Sequence, residues 1–152
     1  MADKVCLRPA TMADAEKLLS WRNDLETRMA SHHMDQITLE EHLVWLENSL
    51  RHPEMRRLWV AEMNGEAVGT CRADRVADAW ELSWTVAPDS RGKGIAQKML
   101  STIIGYFKDP LLAEIKVGNI ASIKASERAG FVFDKEDHGV LYYVFPRSKT
   151  TA

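Results

Sequence analysis

The spacing of hydrophobic positions changes period several times along the chain, and each change predicts an element. Val5-Cys6-Leu7-Arg8 reads as a short opening strand. Thr11 then places a hydroxyl three residues ahead of the Asp14 carboxylate, a capping-box variant, and Ala15, Leu18, Leu19 and Arg22 follow at helical spacing. A first helix is predicted from Asp14 to Asn23. Thr38 with Glu40 and Glu41 starts a second helix in the same way, and Leu39, Leu43, Leu46 and Leu50 give it one apolar stripe. The pattern then becomes that of strands, Leu58 to Glu62 and Ala67 to Arg72, joined through Asn64-Gly65, whose residues both tolerate positive φ. Trp80 to Val86 is a third strand, stopped by Ala87-Pro88-Asp89. From Gly92 a helix carries Ile95, Met99, Ile103, Ile104 and Phe107 on one face. Ala113 to Val117 is a strand, Asn119 to Ala129 a helix, and Gly130 sits where a left-handed cap belongs. Phe131-Val132-Phe133 and Leu141 to Phe145 close the chain as strands. The order β-αα-βββ-α-β-α-ββ predicts an α/β (α+β) fold, a mixed sheet with helices on both faces.

No repeat, low-complexity tract or Pro/Gly/Ser-rich linker divides the chain, so residues 1–152 are expected to form a single domain with a frayed tail from Pro146. A chain of 152 residues buries a self-supporting core without disulfides or a structural metal. The formal net charge of −2 offers no global attraction to nucleic acid or anionic membrane, so any anion site must be local. Cys6 and Cys71, far apart and flanked by apolar or small residues, read as two buried reduced thiols. No apolar run approaches a membrane span, and Met1-Ala2-Asp3-Lys4-Val5 lacks a secretory leader's apolar stretch, so a cytoplasmic location is expected. His32-His33 lacks a third ligand at useful spacing, and no metal is expected.

The chemistry starts at the segment Val86 to Ala96, which joins a strand to a helix and carries Gly92 and Gly94. Glycines let backbone N–H groups turn inward and let a bulky anion approach without meeting a Cβ, while the helix N-terminus adds unpaired donors. Arg91 and Lys93 bring formal charge to the rim, completing a pyrophosphate cradle. The spacing matches neither the P-loop nor the dinucleotide fingerprint.

Arg91-x-x-Gly94-x-Ala96 resembles the Arg/Gln-x-x-Gly-x-Gly/Ala motif of the GNAT acetyltransferase superfamily. A second block, Asn119 to Phe131, resembles that family's Asn-x-x-Ser/Ala…Gly-Phe helix. The resemblance covers nearly the whole chain. It implies a mostly antiparallel, twisted sheet splayed between the strand ending at Val86 and the one around Ile115. It also implies acetyl-CoA as cosubstrate, with the backbone amides of Arg91, Gly92, Lys93, Gly94, Ile95 and Ala96 gripping the pyrophosphate. Asn119 and Ser122 would touch the pantetheine and phosphate region, and the backbone of Trp84, Thr85 and Val86 would pair with pantetheine as an added strand.

An amine attacks a thioester only when unprotonated, so a base must take its proton, and a donor must hold the oxyanion. By the resemblance the donor is a backbone N–H near Val86. Strand alternation puts Glu81, Ser83 and Thr85 on one face, and the position of Glu81 resembles that of the catalytic glutamate of several members. Many members carry a tyrosine that protonates the leaving thiolate where this chain has Ser126, a weaker and shorter acid. Ser126 stands in that tyrosine's place, with Tyr142 and Tyr143 as reserve candidates, of which at most one can serve because adjacent strand residues face opposite ways. With no cysteine near these residues, direct transfer without an acyl-enzyme is expected.

The N-terminal third is left to build the acceptor site. Trp21, Arg22 and Asn23 end the first helix, and His42 and Trp45 lie on the second. With Leu7 to Ala10 these residues resemble the subgroup that acetylates nucleotide-linked amino sugars in the pseudaminic acid pathway. There Arg22 would meet a nucleotide phosphate, and Trp21 or Trp45 would offer an apolar platform. The alternatives are an N-terminal (ribosomal-protein-type) or polyamine acetyltransferase, received by Asp24, Glu26, Asp35, Glu40 and Glu41, and a non-catalytic acyl-CoA sensor. Monomer and homodimer both remain open.

Overall fold

The computed structural model describes residues 4–147; Met1-Ala2-Asp3 and residues 148–152, most of the expected frayed tail, lie outside the described residues. Seven strands are present: β1 (Cys6–Pro9), β2 (Arg56–Met63), β3 (Glu66–Val76), β4 (Ala79–Val86), β5 (Leu111–Lys116), β6 (Val132–Asp137) and β7 (Val140–Phe145). They form one sheet in the order β1-β2-β3-β4-β5-β7-β6. Only β4 and β5 run parallel, so the sheet is mixed and mostly antiparallel.

The helices are α1 (Ala15–Asn23), α2 (Leu25–Ala30), α3 (Leu39–Arg51), α4 (Ile95–Ile104) and α5 (Ile120–Ala129). One face of the sheet packs Trp59, Ala61, Cys71, Ala73, Trp80 and Leu82 against Ile95, Met99, Leu100 and Ile103 of α4. The other packs Leu58 and Val60 against Leu18 and Trp21 of α1 and Leu46 of α3. Apolar side chains leave water on both faces, which is why Leu58 to Ala61 of β2 form a continuous buried run.

The predicted caps hold. Thr11 and Asp14 form a capping box on a 3-10 turn that leads into α1, and Thr38 accepts from the Glu41 N–H at the start of α3. Asn64 and Gly65, at φ 55° and 80°, make the β2–β3 hairpin.

Five features differ from the expectation. Helix α2 was not foreseen, because Leu25 and Met29 are exposed and leave no apolar stripe. Asp24 breaks the chain out of α1 at ψ 135° and then caps α2 by accepting from the Thr27 N–H. Helix α4 ends at Ile104, and Phe107 reaches the core from beyond it. Strand β6 extends into Asp134 to Asp137, an exposed edge with no alternation to mark it. Cys6 is exposed on β1, not buried, while Cys71 is buried. Arg147, at the expected start of fraying, is held in place, donating to Ile104 O at 2.6 Å and Phe107 O at 2.9 Å. Among the described residues no helix is long and apolar enough to cross a membrane.

Candidate active site

The site follows from where β4 and β5 stop pairing. Their parallel ladder covers only Trp80↔Leu111 and Glu81↔Leu112, and beyond it the strands splay. The Ala87 N–H donates to Val68 O on the β3 side, whereas the Trp80 N–H donates to Pro110 O on the β5 side. Alternation along an antiparallel strand therefore aims the N–H and C=O of Trp84 and Val86 into the wedge and turns those of Thr85 toward β3. Of the three residues expected to pair with pantetheine, the backbone groups of Trp84 and Val86 are free to do so and those of Thr85 are not. The wedge opens into a cleft of about 1180 Å³.

At its β4 end the chain makes a 3-10 turn (Pro88–Ser90), passes Gly92 at φ 79° and Gly94 at φ 74°, and enters α4 at Ile95. Both glycines occupy the left-handed region that a Cβ disfavours, and a Cβ built on either meets nothing within 4 Å. That open space, in front of the unpaired N–H groups of the first α4 turn, fits a diphosphate. Gly92, Gly94, Ile95 and Ala96 line the cleft, and so does Gln97, which the sequence reading missed. Lys93 is exposed and does not line it. Arg91 also lines the cleft, but its guanidinium is paired with Asp24 and Glu26 of the α2 region, each at 2.5 Å. It therefore serves to strap the loop to α2, leaving the amides as the anion donors. Asn119 and Ser122 also line the cleft, with Asn119 Oδ1 accepting from the Ser122 N–H as the N-cap of α5. The Trp84 indole N–H is buried with no partner, a donor available to a bound chain.

On the opposite face of β4, Glu81 looks into the cleft beside Glu114 of β5. Glu81 lies opposite Leu112, and Glu114 is two residues further along β5 on the same face. Burial, then the hydrogen bond and charge of Glu114, raise the Glu81 pKa from 4.5 to about 7, with Asp74 adding repulsion and Arg72 opposing it. A carboxyl group held near neutral pH in this way, at the cleft wall, is poised for proton transfer. Glu114 was not singled out from sequence, although alternation in Ala113-Glu114-Ile115-Lys116 marks it as a polar-face residue. His32 approaches it at 3.9 Å. Tyr142 does not line the cleft; it stands opposite Glu114 on β7. Its pKa is raised by burial and by Glu114, so it keeps its proton. Tyr143 is buried, donates to Glu127 at 2.8 Å and plays no part in the cleft.

Ser126 is not a site residue. It is fully buried one helical turn beyond Ser122 and donates to Ile123 O at 2.9 Å. Ser126→Ala is expected to leave kcat within about twofold of the wild type, since a true general acid contributes roughly 10²–10⁴-fold; steady-state thiol release checks this.

At the far end the cleft is lined by Trp21, Arg22, His42 and Trp45. Asn23 is absent from that lining. Its side chain clasps Ile37, donating to the carbonyl and accepting from the N–H at 2.8 Å each, which fixes the segment after α2. The Trp45 ring is occupied by the guanidiniums of Arg22, Arg56 and Arg72 and stacks on His42. It acts as a holder of charges, not as the bare platform that the sequence suggested. Among the described residues no group of three or more His, Cys, Asp or Glu could hold a metal ion.

A sheet split between two parallel strands, with a glycine loop and helix N-terminus at one end and a carboxyl pair at the other, is the architecture of a coenzyme-dependent acyltransferase. The chain belongs to the GNAT acetyltransferase family: the model of the acetyltransferase (GNAT) domain matches residues 4–132. It is an acetyl-CoA-dependent N-acetyltransferase. No curated protein matches the chain. Among solved structures it is similar to a ribosomal-protein-alanine N-acetyltransferase from Brucella melitensis, at 29% identity and a TM-score of 0.78, over 91% of this chain and 98% of that one. The same fold occurs in a spermidine N-acetyltransferase from Vibrio cholerae in complex with CoA and spermine, at 17% identity and a TM-score of 0.80, over 93% of each chain. It occurs also in an aminoglycoside acetyltransferase in complex with coenzyme A and kanamycin, at 21% identity and a TM-score of 0.77, over 93% of this chain and 94% of that one.

Proposed function

We propose that this chain acetylates a primary amine by direct attack on the thioester, with Glu81 as general base. The observation that carries this reading is the Glu81–Glu114 pair, which faces the cleft where the β4–β5 ladder ends. Bound acetyl-CoA supplies an electrophilic thioester carbonyl and a thiolate leaving group. Glu81, ionised, takes the proton as the amine adds; the Val86 N–H, aimed into the wedge, stabilises the oxyanion. Glu81, holding the proton taken from the amine, or water can protonate the departing thiolate; Tyr142 keeps its own proton. Cys71 is buried, its thiol raised to about 12 by desolvation, so no acyl-cysteine route is open there. Two free thiols, Cys6 and Cys71, accord with a cytoplasmic setting.

For the acceptor we propose an amino sugar linked to a nucleotide, on the resemblance at Trp21, Arg22, His42 and Trp45. The second reading is a protein N-terminus, favoured by the likeness to the Brucella melitensis enzyme. A panel of amino sugar nucleotides, N-terminal peptides and polyamines, assayed for free coenzyme thiol, tests both. Preference for peptides over every sugar nucleotide would replace the first reading with the second. Thiol release with none of them, despite coenzyme binding, would favour a sensor.

The carboxyl pair sets a pH dependence. Glu81 works as the anion, so kcat/KM rises as pH climbs through about 7. Removing the neighbouring charge with Glu114→Gln lets Glu81 ionise more easily and moves that limb roughly one pH unit toward acid. A pH–rate profile of the two proteins reads the shift directly.

A further inference from the structure

Acetylation of a primary amine sets free a proton that the cleft has to export. At neutral pH the acceptor arrives as an ammonium with three N–H bonds and leaves as an amide with one. As the N–C bond forms and the C–S bond breaks, one of the two lost protons ends on the coenzyme sulfur. The other must reach bulk water, and Glu81 must shed it before it can take up the second. Glu81 is partly buried in the cleft wall, next to the point where the β4–β5 ladder opens into the wedge. It needs a way out.

Glu114 and His32 lie along such a route. Glu114 is the carboxyl beside Glu81, and His32 Nε2 lies 3.9 Å from Glu114 Oε1. The Glu114 side chain is 28% exposed and that of His32 58%, so the step from one to the other leads outward. A small rotation of the exposed ring brings it within hydrogen-bond reach, as contacts that move protons tighten in the loaded enzyme. The segment carrying His32 is pinned on both sides. Lys116 Nζ, from β5 itself, donates to Met29 O at 3.1 Å, and Arg28 Nη1 donates to Met34 O at 3.1 Å.

Imidazole accepts a proton on one nitrogen and releases one from the other near neutral pH. The remaining groups around the two carboxyls are less suited to this. Lys116 and Arg72 are cations with no acceptor site. Asp74 is claimed by Arg56 and Arg72. Tyr142, opposite Glu114 on β7, keeps its proton. We propose that Glu114 and His32 form a proton-exit relay, which carries to bulk water the proton that Glu81 draws from the incoming ammonium. This rests on the reading of Glu81 as general base. The proton passes from Glu81 to Glu114, from Glu114 to His32 Nε2, and from the ring to water, leaving Glu81 ionised for the attack.

His32→Gln tests the relay, with acetyl-CoA and whichever acceptor of the panel turns over fastest. We expect kcat to fall by ~10-fold, short of the roughly 10²–10⁴-fold of a group that takes the proton from the substrate. Coenzyme A affinity should be unchanged, and imidazole added to the solution should restore kcat. In the coenzyme-free protein, the infrared band of the protonated carboxyl, assigned by its loss in Glu81→Gln, should shift in His32→Gln. An unchanged kcat, a loss that imidazole leaves in place, or a band that does not move overturns the relay. Glu81→Gln, measured beside it, separates the two claims. Full activity there, or turnover with no acceptor at all, removes the base and the relay together; loss there with His32→Gln fully active removes the relay alone.

Discussion

Glu81→Gln is expected to lower kcat by roughly 10²–10⁴-fold while coenzyme A binds unchanged. The amide keeps the shape of the side chain and accepts no proton at neutral pH. Nothing at the glycine loop or in the wedge depends on the charge, because Glu81 sits on the opposite face of β4 from Trp84. The same variant carries a stability signature with a definite sign. Below the ordinary carboxyl pKa of 4.5, Glu81 is protonated in both folded and unfolded chains. As pH rises from there to about 7, the unfolded chain releases the proton and the folded chain keeps it, so wild-type stability falls across that window. Glu81→Gln removes this penalty. Its Tm is expected to exceed that of the wild type at pH 8, with the advantage gone at pH 4. A variant at least as stable as the wild type and nearly inactive would mark Glu81 as a group kept for chemistry.

Gly94→Val is expected to weaken coenzyme A by roughly 10–100-fold, the loss of one or two hydrogen bonds to a charged group. Gly94 stands at φ 74°, and a side chain there costs about 1–2 kcal/mol unless the backbone moves. Moving it turns aside the N–H groups that begin α4. A branched side chain also fills the open space in front of them. Global stability should fall by no more than about that 1–2 kcal/mol of backbone strain, because a Cβ at this position meets no other atom within 4 Å. Calorimetric titration of coenzyme A, beside thermal unfolding, separates the two effects.

Legibility in the sequence followed the range of the interaction. Local devices were readable: the Thr11 and Thr38 caps, the Asn64-Gly65 turn and the glycines before α4 each depend on a few consecutive residues. Helix α2 was not, since Asp24 both ends one helix and caps the next while the helix itself presents no apolar stripe. The face of Glu81 was readable from strand alternation. Its partner Glu114 was not, because it is 33 residues further along the chain and meets Glu81 only through a parallel register of two residue pairs. Ser126 failed for a similar reason. The motif placed it one turn from Ser122, but α5 tilts that turn into the core, where its hydroxyl bonds Ile123 O. Arg91 was expected at the phosphate; the long-range pairing with Asp24 and Glu26 that claims it is invisible in the loop's own residues.

Amide hydrogen exchange with and without coenzyme A tests most directly whether the wedge between β4 and β5 seats the coenzyme. Protection is expected at Trp84 and Val86 and across Gly92 to Ala96, with Ser83 and Thr85, already bonded toward β3, unchanged. Protection that spares the wedge and the glycine loop, or that appears along the outer strands instead, would contradict the account.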